Sequence, residues 1–304
     1  YSSLNFKDGL SCIGRRGITN NYPHTPGIDA SGVVEESSDS RFKEGDSVIV
    51  TSYDLGMNTS GGFGQYIRVP ADWVVSLPKG LNLKESMIYG TAGFTAALSI
   101  HALQKHGISP DDGQIVVTGA TGGVGSVSVA LIAFLGYSVV ASTGKMDETD
   151  FLKKLGASEI IDRNSLYDSS KKALLKERWA GAVDTVGGNT LASLLKATKR
   201  GGAVAATGLV SSSELSMTVF PFILTDWMFM FFSSVSHALP TACDISSRTR
   251  SLHPIDVFTM NFTHHLFLTF DFFALSVANK LTLFFLLSKV LKEVAPSFFK
   301  ISSQ

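Results

Sequence analysis

The stretch IVVTGATGGVGSVSVALIAFLGYSVVASTGK, residues 115–145, holds the residue types and spacing most able to do chemistry. A strand ending at Thr118 runs into Gly119, Ala120, Thr121, Gly122, Gly123, Val124 and Gly125, and then into an apolar helix. This matches the dinucleotide-binding fingerprint, with Ala120 in the first glycine's place followed by Gly122 and Gly125. The three positions serve a tight turn, close approach of backbone to a pyrophosphate, and packing of helix on strand. Exposed N–H groups at the helix start then hold the anion without a side-chain charge.

The second strand of this unit ends at Ser142, Thr143, Gly144 and Lys145, where nucleotide folds commonly place an acidic residue. A carboxylate there accepts hydrogen bonds from the ribose hydroxyls of NAD and repels the extra phosphate of NADP. Ser142 and Thr143 can instead donate to that phosphate while Lys145 supplies charge, and Arg163, after the third strand, is a candidate second cation. The bland reading is a solvated lysine in a loop behind a purely structural glycine turn.

The elements that must position these residues follow from hydrophobic period. From Val33 to about Leu77, short apolar runs (GVVEE, GDSVIV, GGFGQYIRV, DWVVSLP) alternate with Gly, Asp and Pro and predict an antiparallel, barrel-like unit. LKESMIYGTAGFTAALSIHALQKHG then takes helical spacing and stops at Gly107. From there to Leu209 the pattern predicts strand QIVVT, a helix from Gly123 to Leu135, strand YSVVAS, helix DETDFLKKLG, strand EIID, a Lys-rich helix, strand GAVDTV, helix NTLASLLKATK and strand GAVAATG. Such alternation predicts an α/β fold with a parallel sheet covered on both faces.

Bulk composition narrows the partners. The chain has 304 residues, room for two domains, with 26 basic against 26 acidic residues and no basic stripe, so nucleic acid is not an expected partner and a small molecule is. Two cysteines, Cys12 and Cys243, make neither a disulfide framework nor a cysteine-rich zinc site, which fits a reducing compartment such as the cytoplasm. His24, His101 and His106 are scattered and read as surface or satisfied core; Gly61 and Gly62 read as shaping a turn.

Composition shifts near Thr225. All 28 glycines lie at or before Gly208, whereas runs such as MFMFFSS, LFLTFDFFALSVA and LTLFFLLSKVL follow. Asp271 and Lys280 break the best apolar window, short of the ~18 to 20 residues a membrane span needs, so a membrane is not an expected partner. The stretch 225–304 is expected to be a non-native continuation or alternative end, and the start at Tyr1 a fragment edge.

Taken together, YSSLNFKDGL, YPHTPGIDASGVV, FKEGDSVIV, GGFGQYIRVPADWVVSLP, YGTAGFTAALSI, VTGATGGVGSVSVALIAFLGY, VDTVGG and ATGLV resemble the YhdH-type quinone oxidoreductases, the acryloyl-CoA reductase-like branch of the medium-chain dehydrogenase/reductase superfamily. The resemblance covers about residues 1–224. It implies a GroES-like β-barrel substrate domain over 1–85, missing its first strands. It also implies a Rossmann domain over 86–224, C-terminally incomplete with an unpaired sheet edge, and a hydrophobic tail over 225–304. NADPH as hydride donor and a homodimer are implied as well. Zinc-dependent relatives place a ligating His and an adjacent Glu where this chain has Ile28 and Asp29, and carry cysteine ligands it lacks, so the resemblance implies a zinc-free enzyme.

The expected reaction is hydride addition to an activated double bond of an enoyl thioester, or to a quinone. By resemblance, Asn5 and Thr91 lie near the nicotinamide, Gly208 and Leu209 line its far side, and Lys7 and Asp8 fix the first loop. Tyr53 is the candidate donor to the substrate oxygen, with a packed loop aromatic as the alternative. The rival reading of the whole chain is a truncated, catalytically impaired isoform that binds nucleotide or associates with a membrane.

Overall fold

The computed structural model describes residues 1–170, 172–225 and 228–231. The chain divides into two compact units, the first beginning at Tyr1 and ending at Phe94, the second taking up at Thr95.

In the first unit a short helix α1 (Phe6–Cys12) starts at Asn5, whose backbone N–H donates to Asp8 Oδ2 at 2.8 Å. Sequence periodicity had given no helix here; the Asn-x-x-Asp spacing of a capping box was the available signal. Strands β1 (Asp29–Val33), β2 (Ser47–Thr51) and β3 (Val74–Ser76) form an antiparallel sheet in that order. One face packs Ala30, Val50 and Leu55 against Ile67, Val69, Trp73 and Val74.

The expected strand GGFGQYIRV is not formed. Its first residues satisfy their N–H groups on a neighbouring loop instead: Gly61 donates to the Thr25 carbonyl, Gly62 to Gly27 and Phe63 to Pro26, at 2.7–3.0 Å. Gly61 and Gly62 therefore serve a close approach of two backbones, beyond shaping a turn.

Helix α2 (Leu83–Lys105) spans the division between the units and breaks internally at Gly90, where φ is 47° and ψ −147°. The second unit is built on β4 (Ile115–Thr118), α3 (Gly123–Phe134), β5 (Val139–Thr143), α4 (Thr149–Lys154), β6 (Glu159–Asp162), β7 (Trp179–Asp184), α5 (Gly188–Ala197), β8 (Thr198–Ala206), α6 (Phe220–Leu224) and β9 (Met228–Phe231). The strands form one parallel sheet ordered β6-β5-β4-β7-β8-β9. Strands β4, β5 and β7 are buried along their whole length, as expected of largely apolar strands in a sheet covered on both faces. Chain order runs outward from β4 in one direction to β6 and from β7 in the other to β9. The switch point thus falls between β4 and β7, the place where open α/β sheets bind ligands.

Two expectations are corrected. The Lys-rich segment before β7 is not helical over the described residues between 167 and 178. Its N–H groups are drawn to α5 instead: Leu175 donates to the Lys196 carbonyl at 2.9 Å, Arg178 to Ala197 at 2.8 Å, and Asp168 to Ser193 Oγ at 3.1 Å. Nor is the β8 edge unpaired, because β9 lies along it in register from Ala203↔Met228 to Ala206↔Phe231. The remainder of the hydrophobic stretch, with its weighed membrane span and Cys243, lies outside the described residues. Among the described residues no helix is long and apolar enough to cross a membrane.

Candidate functional site: a nucleotide loop and a buried carboxylate cluster

The loop between β4 and α3 has the geometry its spacing predicted. Ala120 is fully buried and its N–H donates to the Ser142 carbonyl at 3.0 Å, tying the loop to the end of β5. Gly122 is the N-cap of α3; Gly122 and Gly123 are exposed, with Thr121 and Val124 half-buried on either side. Gly125 packs the helix onto the strand end. A Cβ there would strike the Gly119 carbonyl oxygen and lie 2.8 Å from Ala120 Cα. A nucleotide pyrophosphate fits this cradle: a twelve-residue helix starts at two side-chain-free, solvent-facing positions.

At the end of β5, Ser142 and Thr143 are buried, while Gly144 and Lys145 are exposed. Thr143 Oγ1 lies 3.3 Å from Thr121 Oγ1 and accepts the Lys145 N–H at 3.0 Å, which holds the Lys145 backbone against the loop. Arg163, also exposed, lies across Gly144: a Cβ at Gly144 would be 2.7 Å from Arg163 Nε. Arg163 thus lies over Gly144 past the end of β5, next in sequence to Lys145, with no carboxylate among Ser142–Lys145.

Sequence reasoning missed the hub beneath this loop. Asp184, fully buried at the end of β7, accepts from Thr118 Oγ1 at 2.6 Å and from the Gly187 N–H at 2.8 Å; its carbonyl accepts the Thr207 N–H at 2.7 Å. The ends of β4, β7 and β8 are thereby fixed at the switch point. Burial pushes the Asp184 carboxyl above its ordinary range, against the downward pull of the Thr118, Gly187 and Val186 hydrogen bonds. Beyond it the chain carries Gly208, half-buried, and Leu209, exposed. An acidic residue closing an otherwise apolar strand, as in GAVDTV, was the available signal.

In the first unit, Asn5 and Thr91 meet on a second buried carboxylate. Asp29 Oδ2 accepts from Ser3 Oγ, from Asn5 Nδ2 at 2.8 Å and from the Thr91 N–H at 2.9 Å; Oδ1 accepts from Thr91 Oγ1 at 2.6 Å. The break at Gly90 is part of this arrangement. Its left-handed φ suits glycine, and a Cβ would lie 2.5 Å from Asp29 Oδ2. Burial raises the Asp29 carboxyl, opposed by its bonds to Ser3, Thr91 and Asn5. Asp8 fixes the loop above, accepting the N–H groups of Gly27 at 3.2 Å and Ile28 at 3.0 Å. Lys7 is half-buried, and burial lowers its pKa against the raising effect of Asp8.

Tyr53 lies in the loop after β2. Its ring stacks on Trp73 with centroids 5.2 Å apart, and its hydroxyl donates to the Asp72 carbonyl at 3.2 Å. Burial, followed by the charge of Asp72, raises its pKa. His24 bonds Ser11 Oγ at 2.8 Å, and His106 the Gly201 carbonyl at 3.2 Å. Among the described residues no three His, Cys, Asp or Glu side chains cluster as a metal site.

Comparison with known proteins places this geometry. The alcohol dehydrogenase GroES-like domain matches residues 1–79, and the zinc-binding dehydrogenase domain matches 123–247. YhfP of Bacillus subtilis (strain 168) is 54% identical over 224 residues, 74% of this chain and 68% of YhfP. Its crystal structure, with NAD bound, superposes with a TM-score of 0.74 over 78% of this chain and 72% of that one. The acrylyl-CoA reductase AcuI of Ruegeria pomeroyi is 49% identical over 225 residues, 74% of this chain and 68% of AcuI. YhdH of E. coli K-12, solved with bound NADPH, is 47% identical with a TM-score of 0.75 over 77% of this chain and 72% of that one. A parallel sheet with a glycine loop at its switch point, a GroES-like unit beside it in sequence, and relatives near half identity lead to one assignment: the chain belongs to the medium-chain dehydrogenase/reductase superfamily, in its quinone oxidoreductase and acrylyl-CoA reductase family.

Proposed function

We propose that this chain is an NADPH-dependent reductase of an activated double bond, acting on an enoyl thioester such as acrylyl-CoA or on a quinone, without a catalytic metal. The observation that carries the reading is Arg163 lying over Gly144 at the end of β5, in a stretch Ser142–Lys145 that carries a lysine and no carboxylate where a carboxylate would favour NAD. NADPH, when bound, supplies the hydride. The chain's own part is to hold the pyrophosphate on the Gly119–Gly125 loop and the additional phosphate on Thr143, Lys145 and Arg163, with Ser142 behind them. Gly208 and Leu209, beyond Asp184 in the same unit, lie toward the nicotinamide. The relatives do not decide the cofactor by themselves, since YhdH was solved with NADPH and YhfP with NAD.

The test is a fluorescence titration of the full chain with NADPH and NADH in parallel, followed by NADPH consumption with acrylyl-CoA and with a quinone. NADPH is expected to bind at least ~10-fold more tightly, about 1.4 kcal/mol. Equal affinity for both, or none for either, sinks the reading. Binding without turnover of either substrate would leave a nucleotide-binding protein.

Two further outcomes are expected. Lys145→Ala combined with Arg163→Ala weakens NADPH by roughly 10- to 100-fold and leaves NADH within about twofold, because only the phosphate loses its charge-assisted bonds. Dialysis against EDTA leaves NADPH oxidation unchanged. Support for the second comes from Asp29, whose two oxygens are occupied by four donors, and from the adjacent Ile28, which cannot ligate. Loss of activity restored by zinc would overturn it.

A further inference from the structure

Between Asp8 and Asp29 the chain holds no Asp or Glu, yet two arginines follow one another there, in IGRRGIT. Helix α1 closes just before them: the Ile13 N–H donates to the Gly9 carbonyl at 3.2 Å, Gly14 to Ser11 at 3.0 Å and Arg15 to Leu10 at 2.9 Å. The chain then turns at once, with the Ile18 N–H donating to the Arg15 carbonyl at 3.3 Å and Gly17 at φ 83°, a left-handed value that suits glycine. Both feet of this turn are held from inside. Ser11 Oγ, buried, lies 2.6 Å from Thr19 Oγ1 and 2.8 Å from His24 Nε2, and the Tyr22 hydroxyl donates to the Ser11 carbonyl at 2.6 Å. The Asn20 N–H donates to Asn58 Oδ1 at 3.0 Å. Arg15 and Arg16 are exposed at the tip, and a Cβ on either flanking glycine, Gly14 or Gly17, would meet nothing within 4 Å. Neither guanidinium has a hydrogen-bond or ion-pair partner among the described residues, whereas Arg41 is paired with Asp39 and Asp72, and Arg178 with Glu159.

We propose that the turn carrying Arg15 and Arg16 is a subsite for the phosphate groups of coenzyme A, which makes a CoA thioester, rather than a quinone, the substrate class of the reductase. The inference deepens the proposed function and rests on it for the reaction, while the subsite itself lies wholly within the first unit. Two adjacent guanidinium groups offer paired N–H donors and positive charge to phosphate oxygens, a geometry that arginine matches better than lysine does. A quinone has no group that uses them. Like charges side by side with no counter-charge repel one another, and an anionic ligand removes that cost. Because Ser11, Thr19 and Asn20 pin the turn before any ligand arrives, little ordering of the backbone opposes binding. The bland alternative is a pair of solvated arginines, favourably placed past the C-terminal end of α1, that prefer no ligand.

The test is calorimetric titration of the full chain, with NADPH absent and then saturating, by coenzyme A and by pantetheine, which carries the thiol arm without the phosphates. It is run on the natural sequence and on Arg15→Gln combined with Arg16→Gln, with a thermal melt to confirm that each chain is folded. The natural chain is expected to bind coenzyme A at least ~10-fold more tightly than pantetheine, and the double variant to bring the two within about twofold. Coenzyme A no tighter than pantetheine on the natural chain, or a preference that survives the double substitution, overturns the proposal. Coenzyme A binding that NADPH abolishes overturns it as well, because the adenosine phosphates would then be seated on the glycine loop. If the double variant does not fold, Arg16→Gln alone decides: the preference should fall about threefold, and an unchanged preference overturns the inference. If NADPH does not bind, the proposed function fails, and the titration without NADPH still decides what the turn holds. If NADPH binds and the preference for coenzyme A resists the substitutions, only the inference fails.

Discussion

Gly125→Val abolishes NADPH binding, with affinity falling more than ~100-fold, or about 2.8 kcal/mol. The cause is steric. A Cβ at this position strikes the Gly119 carbonyl oxygen and lies 2.8 Å from Ala120 Cα, and those atoms are backbone and cannot step aside. The start of α3 must move off the strand end, carrying away the N–H groups at Gly122 and Gly123 that would face the pyrophosphate. The measurement is the NADPH fluorescence titration, with far-ultraviolet circular dichroism to show that the sheet is retained. Retention of NADPH affinity within a few-fold in a folded Gly125→Val chain would show that the loop does not hold the nucleotide. Gly125→Ala should lose affinity nearly as fully, since the clash begins at Cβ.

Asp184→Ala destabilises the chain by about 2–5 kcal/mol, because Thr118 Oγ1 and the Gly187 N–H lose their acceptor and are left buried without one. The loss also has a pH signature. The Asp184 carboxyl is raised in the fold, so the folded chain binds a proton there before the unfolded chain does. The stability this contributes grows as pH falls from the raised value toward the unfolded value of about 3.9, and is lost as pH rises through the folded value. The gap between the natural chain and Asp184→Ala therefore widens from pH 7 to pH 4.5 in urea melts. A gap that narrows over that range would mean that the carboxyl is held down by its donors rather than pushed up by burial. Asp184→Asn should fall between the two: its oxygen still serves Thr118, but its amide faces the Gly187 N–H.

What could be read from residues alone was what local period and spacing encode. Strand β6 occupies EIID with the bounds expected, and α3 begins at Gly123 as the glycine spacing requires. Segments failed where a distant partner decided the outcome. GGFGQYIRV alternates like a strand, yet its first N–H groups are claimed by the carbonyls of Thr25, Pro26 and Gly27. The Lys-rich segment has good helix formers, yet Leu175 and Arg178 bond the end of α5. The partners of the two buried aspartates were illegible for the same reason, because each gathers donors from segments far apart in sequence: Thr118 is 66 residues from Asp184, and Thr91 is 62 from Asp29. Arg163 could be placed past the second strand from sequence because it directly follows β6, which lies beside β5 in the parallel sheet.

Strand β9 carries a different lesson. Met228–Phe231 pairs with β8 in parallel and is the sixth strand of the sheet among the described residues, and such a pairing is made by main-chain hydrogen bonds. Among the described residues it holds the outermost place on this side of the sheet, beyond β8. The glycine loop and Asp184 sit at the opposite side of β8, built from β4, β7 and the turn after them. The strands that carry the glycine loop and Asp184 are therefore two places in from this outermost strand or further, with β8 between them.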